Sequence, residues 1–208
     1  GLFASGATPL AAGIISRQCW DLTDAALVEE TQSFYENLHH EFTGKMEVRV
    51  DGMLRFAFSQ RTAAALHEET EALRGAGFAV DMVTKARALE LAPVMALEGL
   101  VAAAHDPRDS YGDPYGFVYI ASAILASKGV SFTMRAAAKK FKISSGRCTG
   151  IERAWGEPLT ADLGVMAAGA GGNRIMQASE LPLPVKPYRT QAAILDLGWS
   201  FPLIGHDL

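Results

Sequence analysis

The chain has 208 residues, 49% hydrophobic and 20% charged, enough to bury a core in one large domain or two small ones. Nineteen Lys and Arg stand against 23 Asp and Glu for a net charge of -4. With both signs interspersed, this leaves no basic footprint for nucleic acid. No apolar run reaches the ~18 residues that span a bilayer, no leader pattern is recognisable, and the two cysteines, Cys19 and Cys148, exclude a disulfide framework. These features imply a soluble, cytoplasmic protein.

The chain opens on Gly1 rather than Met, which is expected to be a cut within a longer polypeptide. Residues 1–18, GLFASGATPLAAGIISRQ, are small, apolar and aperiodic, and read as a buried loop. From Thr23, a candidate cap, Leu27, Thr31, Phe34, Tyr35, Leu38 and Phe42 recur at helical spacing. EVRVDGMLRFAF then alternates around Asp51-Gly52, a dipeptide that favours a hairpin turn. Residues 60–74 form a helix stopped by Gly75-Ala76-Gly77. A strand over FAVDMV and a short helix over KARALELA follow, with Pro93 as the stop.

Asp113-Pro114 starts a second strong helix, with Asp as cap, Pro in the first turn and Gly129 at the far end. Its buried side is expected at Val118, Ala121, Ser122 and Leu125. Short strands follow over GVSFTM, AKKFKI and RCTGIERA, the last two joined by a turn at Ser144-Ser145-Gly146. The run Val165-Met166-Ala167-Ala168 reads as a strand dropping into Gly169-Ala170-Gly171-Gly172. A helix follows from Asn173, and LPLPVKPYRTQAAILDL resolves into a final strand.

The candidate catalytic motifs fail one by one. His67-Glu68-Glu69-Thr70-Glu71 begins like a zinc-protease helix but lacks the second histidine. Glu36, His39 and His40 lack a third ligand position. Asp106, Asp109 and Asp113 do not have calcium-loop spacing; Asp106 reads as a turn residue and Asp113 as the helix cap. No G-x-S-x-G or Cys/His pair supports a nucleophile. No metal site is therefore expected, and the catalytic residues stay unknown.

The glycine run after Ala168 is not the dinucleotide fingerprint G-x-G-x-x-G, because Arg174 occupies its third glycine position. A methyltransferase loop is a weaker alternative, since that loop normally follows the first strand. Two small-residue stretches, Ser5-Gly6…Ala11-Ala12-Gly13 and Ala167-Ala168-Gly169-Ala170-Gly171, nonetheless suit backbone held close to a flat or phosphate-bearing group. A tight packing corner would need the same residues.

On three stretches the chain resembles the flavin-dependent amino-acid oxidase family of glycine oxidase, sarcosine oxidase and D-amino-acid oxidase. They are ASGATPLAAGII, DPYGFVYIASAILASKGVSFTM and RCTGIERAWGEPLTADLGVMAAGAGG. LPVKPYRTQ fits the family's "P-v-r-G-q" strand, with Thr190 where glycine is common. The resemblance implies FAD as cofactor, with Ala168 and Gly169 along it, Ala138 at the adenine, and Ser5, Ala12 and Gly13 at the pyrophosphate or ring side. Arg17 would meet an anionic substrate or the flavin; a surface salt bridge is the alternative.

The family's fingerprint unit and its closing segment, with the substrate-gripping arginine, have no counterpart here, so the chain resembles the middle of a longer protein. The expected fold is a mixed α/β and α+β arrangement. A partial Rossmann-like FAD-binding domain (1–45 and 113–172) interleaves with an antiparallel-sheet substrate domain (46–112 and 173–208). The implied substrate is a small-molecule amine or amino acid oxidised at its CH–NH bond. The alternative is a non-catalytic remnant or subunit that binds a partner chain.

Overall fold

A computed structural model describes residues 5–18, 21–42, 45–189 and 204–207. The chain divides into two compact units, one of residues 1–8 and 122–194 and the other of 9–121 and 195–208. These cuts differ from the sequence-based division, since 9–45 and 113–121 group with 46–112, and 173–194 group with the glycine corner. Both units are mixed α/β, and among the described residues the strand pairs are antiparallel except for one.

The larger unit starts with β1 (Ile14–Ile15) and α1 (Leu22–Glu41). The cap of α1 is Asp21 rather than Thr23; its Oδ1 accepts from the backbone N–H of Thr23 and Asp24. Asp reaches both orphan donors from outside the first turn, whereas Thr23 already lies within the helix. The buried face of α1 also differs from expectation. Ala25, Gln32 and Leu38 are buried, whereas Phe34 and Leu27 are more than half exposed.

The expected hairpin at Asp51-Gly52 does not form. β2 (Val48–Arg49) pairs with β6 (Ser110–Gly112), and β3 (Met53–Ala57) pairs with β5 (Ala102–Asp106). One long antiparallel ribbon is thus broken on both strands as it passes from one sheet to another. Gly52 sits at the break at φ +79, and a Cβ there would lie 2.8 Å from His105 Nε2. Glycine marks a bend and a close approach here rather than a reversal.

One sheet has the order β1-β6-β2. The other, with β4 (Asp81–Val83) and β10 (Ile204–Asp207), runs β10-β3-β5-β4, and β10 is parallel to β3. Helix α2 (Gln60–Gly75) is capped by Ser59, whose side chain accepts from Thr62 N–H. It buries Ala63, Leu66 and Leu73 among Ala57, Val80 and Ala104. The short α3 (Lys85–Leu91), capped by Thr84, places Ala88 in a second cluster with Leu54, Phe56, Leu97 and Ala103. This central sheet, buried on both faces, is the core of the unit.

Helix α4 (Pro114–Ser127) begins where expected, with Asp113 Oδ1 accepting from Tyr115 N–H, and is followed by Gly129 at φ +87. Its buried residues are Pro114, Gly116 and Ile120, not the Val118–Leu125 set; Leu125 is exposed. Gly116 packs where a Cβ would lie 3.1 Å from the Lys45 carbonyl oxygen, so the face is selected by close approach, which apolarity alone does not reveal.

In the smaller unit GVSFTM is not a strand. The hairpin of β7 (Ala138–Ser144) and β8 (Arg147–Arg153) forms as expected, turning through Ser145 at φ 51 and Gly146 at φ 74. β9 (Leu159–Thr160) adds to β8. Helix α5 (Gly172–Ala178) packs toward β7, where Ser179 Oγ accepts from Phe141 N–H and donates to the Ile175 carbonyl. Residues 181–189 form no strand, and Thr190–Leu197, where that final strand was expected, lie outside the described residues.

Candidate functional site

Val165–Ala168 does not form the expected strand. Residues 163–168 are coil with no ladder partner among the described residues, and Leu163 and Val165 are 79% and 80% exposed. An apolar run becomes a strand only where a neighbour supplies hydrogen bonds. Gly164 seats the segment on β7–β8, since a Cβ there would run into the Phe141 ring and lie 3.2 Å from Cys148 Sγ.

The chain then makes one 3-10 turn, Gly169–Gly171, and enters α5. Gly169 adopts φ +50, and a Cβ on Gly169 or Gly171 would meet nothing within 4 Å. No side chain caps the turn or α5. Ala168 and Gly169 therefore present exposed backbone, their carbonyls accepting from Gly171 and Gly172 N–H within the turn. Of the other expected contacts, Ser5 is exposed and Ala138 half-buried at the start of β7; both belong to this unit.

Ala12, Gly13 and Arg17 belong to the other unit. The stretch that holds them is not the buried loop expected: residues 5–8, 10–12 and 14 are exposed and only 16–18 are fully buried. Gly13 stands at φ +74, where a Cβ would lie 2.6 Å from both the Gly112 carbonyl oxygen and the Tyr111 ring. Its carbonyl accepts from Gly112 N–H at 2.9 Å. The close approach Gly13 permits is thus made to β6.

Arg17 is 1% exposed, so the surface salt bridge considered for it is a buried one. Its Nε donates to Asp106 Oδ2 at 3.2 Å and its Nη1 to Gln32 Oε1 at 2.6 Å. Its Nη1 also pairs with Glu29, and its Nη2 lies 3.7 Å from Asp109 Oδ1. Asp106 and Asp109 are both 0% exposed. Asp106 does act as a turn residue, accepting from Arg108 N–H through Oδ1.

Asp109 had no role read for it beyond a rejected calcium loop, yet its side chain gathers three hydrogen bonds. Its carboxylate accepts from Ser16 Oγ at 2.6 Å, Gln18 Nε2 at 3.0 Å and Arg17 N–H at 3.0 Å. Burial, and then the Asp106 charge, push its pKa up to about 6 against the pull of those donors. On β3, Arg55 donates to the Gln18 carbonyl and to Glu69 Oε2. The signal available in the sequence was two aspartates three apart in a short turn, with one arginine in an otherwise apolar stretch. Among the described residues no His, Cys, Asp and Glu cluster could hold a metal ion.

Comparison with known proteins matches residues 1–205 to the family model DAO, described as FAD dependent oxidoreductase. A D-amino acid dehydrogenase of Methylobacterium nodulans is 28% identical over 165 residues, covering 78% of this chain and 39% of that protein. A glycine oxidase of Geobacillus kaustophilus is 25% identical over 202 residues, covering 94% of this chain and 53% of the relative. Among solved structures, L-proline dehydrogenase from P. horikoshii superposes with a TM-score of 0.77 at 18% identity, covering 85% of this chain and 46% of that one. The chain thus spans about half or less of the length of these relatives. With an almost complete family match over these mixed α/β units, the chain belongs to the DAO family of FAD dependent oxidoreductases.

Proposed function

We propose that the chain forms part of an FAD-dependent oxidoreductase that oxidises the CH–NH bond of an amino acid or secondary amine. The observation that carries this reading is the open corner at Ala168-Gly169, where exposed, uncapped backbone and a left-handed glycine suit a cofactor wall. Held there, FAD would supply the acceptor for the hydride leaving the substrate's CH–NH carbon, and the imine product would be hydrolysed by water. The protein supplies orientation and a dry pocket, so the lack of an acid–base motif is compatible with it.

In this reading Ala168 and Gly169 lie along the cofactor, with Ala138 at its adenine and Ser5 and Ala12 beside the pyrophosphate or ring. Gly13 holds Ala12 in place through its seat on Tyr111 and Gly112. The residues 1–208 contain no G-x-G-x-x-G, so the phosphate loop must come from other polypeptide. Arg17 is already engaged by Asp106, Gln32 and Glu29; a role toward an anionic substrate would require those bonds to rearrange.

The test is anaerobic mixing of the flavin-containing protein, purified from its source, with glycine, sarcosine, proline and the D- and L-amino acids. Loss of the oxidised flavin's visible absorbance with one of them is expected. Flavin that no amine bleaches, or a protein that carries no flavin, rejects the activity.

The exposed Leu163 and Val165 favour a second reading, a non-catalytic subunit whose unpaired apolar segment binds a partner chain. Co-purification of a flavin-free protein with a polypeptide bearing G-x-G-x-x-G supports it. A monomer in light scattering counts against it.

A further inference from the structure

We propose that Asp109 is a proton-operated latch: proton uptake tightens the hold of the β5–β6 turn on residues 16–18, and ionisation loosens it. The inference stands independently of the cofactor reading. It starts from a charge imbalance in a dry place. Asp106 and Asp109 are fully buried and share one buried guanidinium, that of Arg17.

The surrounding charges do not repair the imbalance. From α1, Glu29 adds a third carboxylate to Arg17, while Glu36 accepts from Gln32 Nε2 and so steadies Arg17 indirectly. Arg108, in the turn itself, pairs with Glu29 and is half exposed. From β3, Arg55 is taken by Glu69 of α2 and by the Gln18 carbonyl. His105, beside Asp106 on β5, is held below its usual pKa by burial, so it brings no dependable charge.

A proton on Asp109 fits the contacts already in place. Ser16 Oγ stands 2.6 Å from Oδ2, a distance suited to a carboxylic acid donating to the hydroxyl. Oδ2 can still accept from Gln18 Nε2, and Oδ1 can still accept from Arg17 N–H. Protonation therefore keeps Arg17 and Gln18 tied to the turn and reverses the Ser16 bond, whose hydroxyl proton turns away from the carboxyl, while it removes the repulsion with Asp106.

Linkage fixes the direction. The closed arrangement holds the proton at a pKa of about 6, and an opened one exposes Asp109 to water near the ordinary aspartate value. Closing is thus favoured by acid, loses ground as pH rises between those values, and is level above the higher one. The opposite expectation, that an ionised carboxylate bridging to arginine holds better, would apply if Arg17 had one acidic partner.

The test is pH-dependent backbone hydrogen exchange of the intact chain, corrected for intrinsic rates. It follows Arg17 N–H, which donates to Asp109 Oδ1, and Gly52 N–H, which donates to the Asp109 carbonyl. Protection at these amides is expected to lie below that of Leu66 N–H in α2 at every pH, and to fall by up to about a hundredfold between about pH 4 and about pH 6.5. In Asp109→Asn, which never ionises, protection is expected to be flat across the range. Should that variant not fold, the carboxyl carbon shift of Asp109 in the unaltered chain should titrate near the exchange midpoint. Protection that is constant or rises with pH, or that equals Leu66's at every pH, overturns the latch.

Discussion

Two glycines with left-handed backbones separate a packed position from an open one. Gly13 and Gly169 both have φ in the region where a Cβ is strained, but their surroundings are opposite. A methyl group on Gly13 would strike Tyr111 and Gly112, and one on Gly169 would enter open space. Gly13→Ala is therefore expected to lose about 2–4 kcal/mol of stability in denaturant unfolding, from strain plus clash. Gly169→Ala should cost only about 1 kcal/mol, so a larger effect on FAD affinity than on unfolding would mark it as a cofactor contact. Equal effects would remove Gly169 from the proposed site. Asp109 adds a pH signature to global stability. Its folded pKa of about 6 lies above its ordinary value of 3.8, so the folded state binds more protons between them. Its contribution is full below about pH 4, is lost as pH rises through about 6, and amounts to about 3 kcal/mol. Urea titrations of the larger unit across that range should show the decline, and Asp109→Asn should abolish it.

At the scale of elements, the sequence was legible where a local rule decides the outcome. Asp113 caps α4 as read, and Gly77 and Gly129 end helices with positive φ; Ser59, which caps α2, was not singled out. Ser59→Ala should accordingly cost about 1 kcal/mol, measurable as a shift in the denaturation midpoint. Leu66→Ala, which empties a fully buried site between α2 and the sheet, should cost about 2–5 kcal/mol in the same experiment. Legibility ended where a distant partner decides. Asp51-Gly52 read as a hairpin turn, but the transfer of β2 and β3 to separate sheets depends on the matching break after Asp106, more than fifty residues away. The apolar stripe read on α1 did not fix its buried face: Leu27 and Phe34 are exposed, and Gln32 is buried against Arg17 because that arginine needs an acceptor. Of the candidate site, the glycine corner could be read from its residues. The Asp106–Asp109–Arg17 cluster could not, because its members come from two loops about ninety residues apart.

At the scale of the whole molecule, the two units differ in how much core each contains. Of the described buried hydrophobics, only Phe141 and Ile175 lie in the smaller unit; the clusters around Leu66 and Leu54 belong to the larger. A unit with so little apolar burial draws little of its stability from its own packing. Amides of the β7–β8 hairpin should therefore exchange at least about tenfold faster than those of β3 and β5 in the 208-residue chain. The same unit holds Ala168 and Gly169, so FAD bound there would stabilise it by mass action, in proportion to ligand concentration over the dissociation constant. Saturating FAD should then slow exchange at Ile151 and Phe141 while leaving Leu54 and Ala104 unchanged. Without G-x-G-x-x-G to hold the pyrophosphate, residues 1–208 alone should lose the flavin during gel filtration. One flavin per chain retained through that step would show that these residues hold the cofactor without a phosphate loop. Flavin-dependent protection confined to the larger unit would move the site away from the glycine corner altogether.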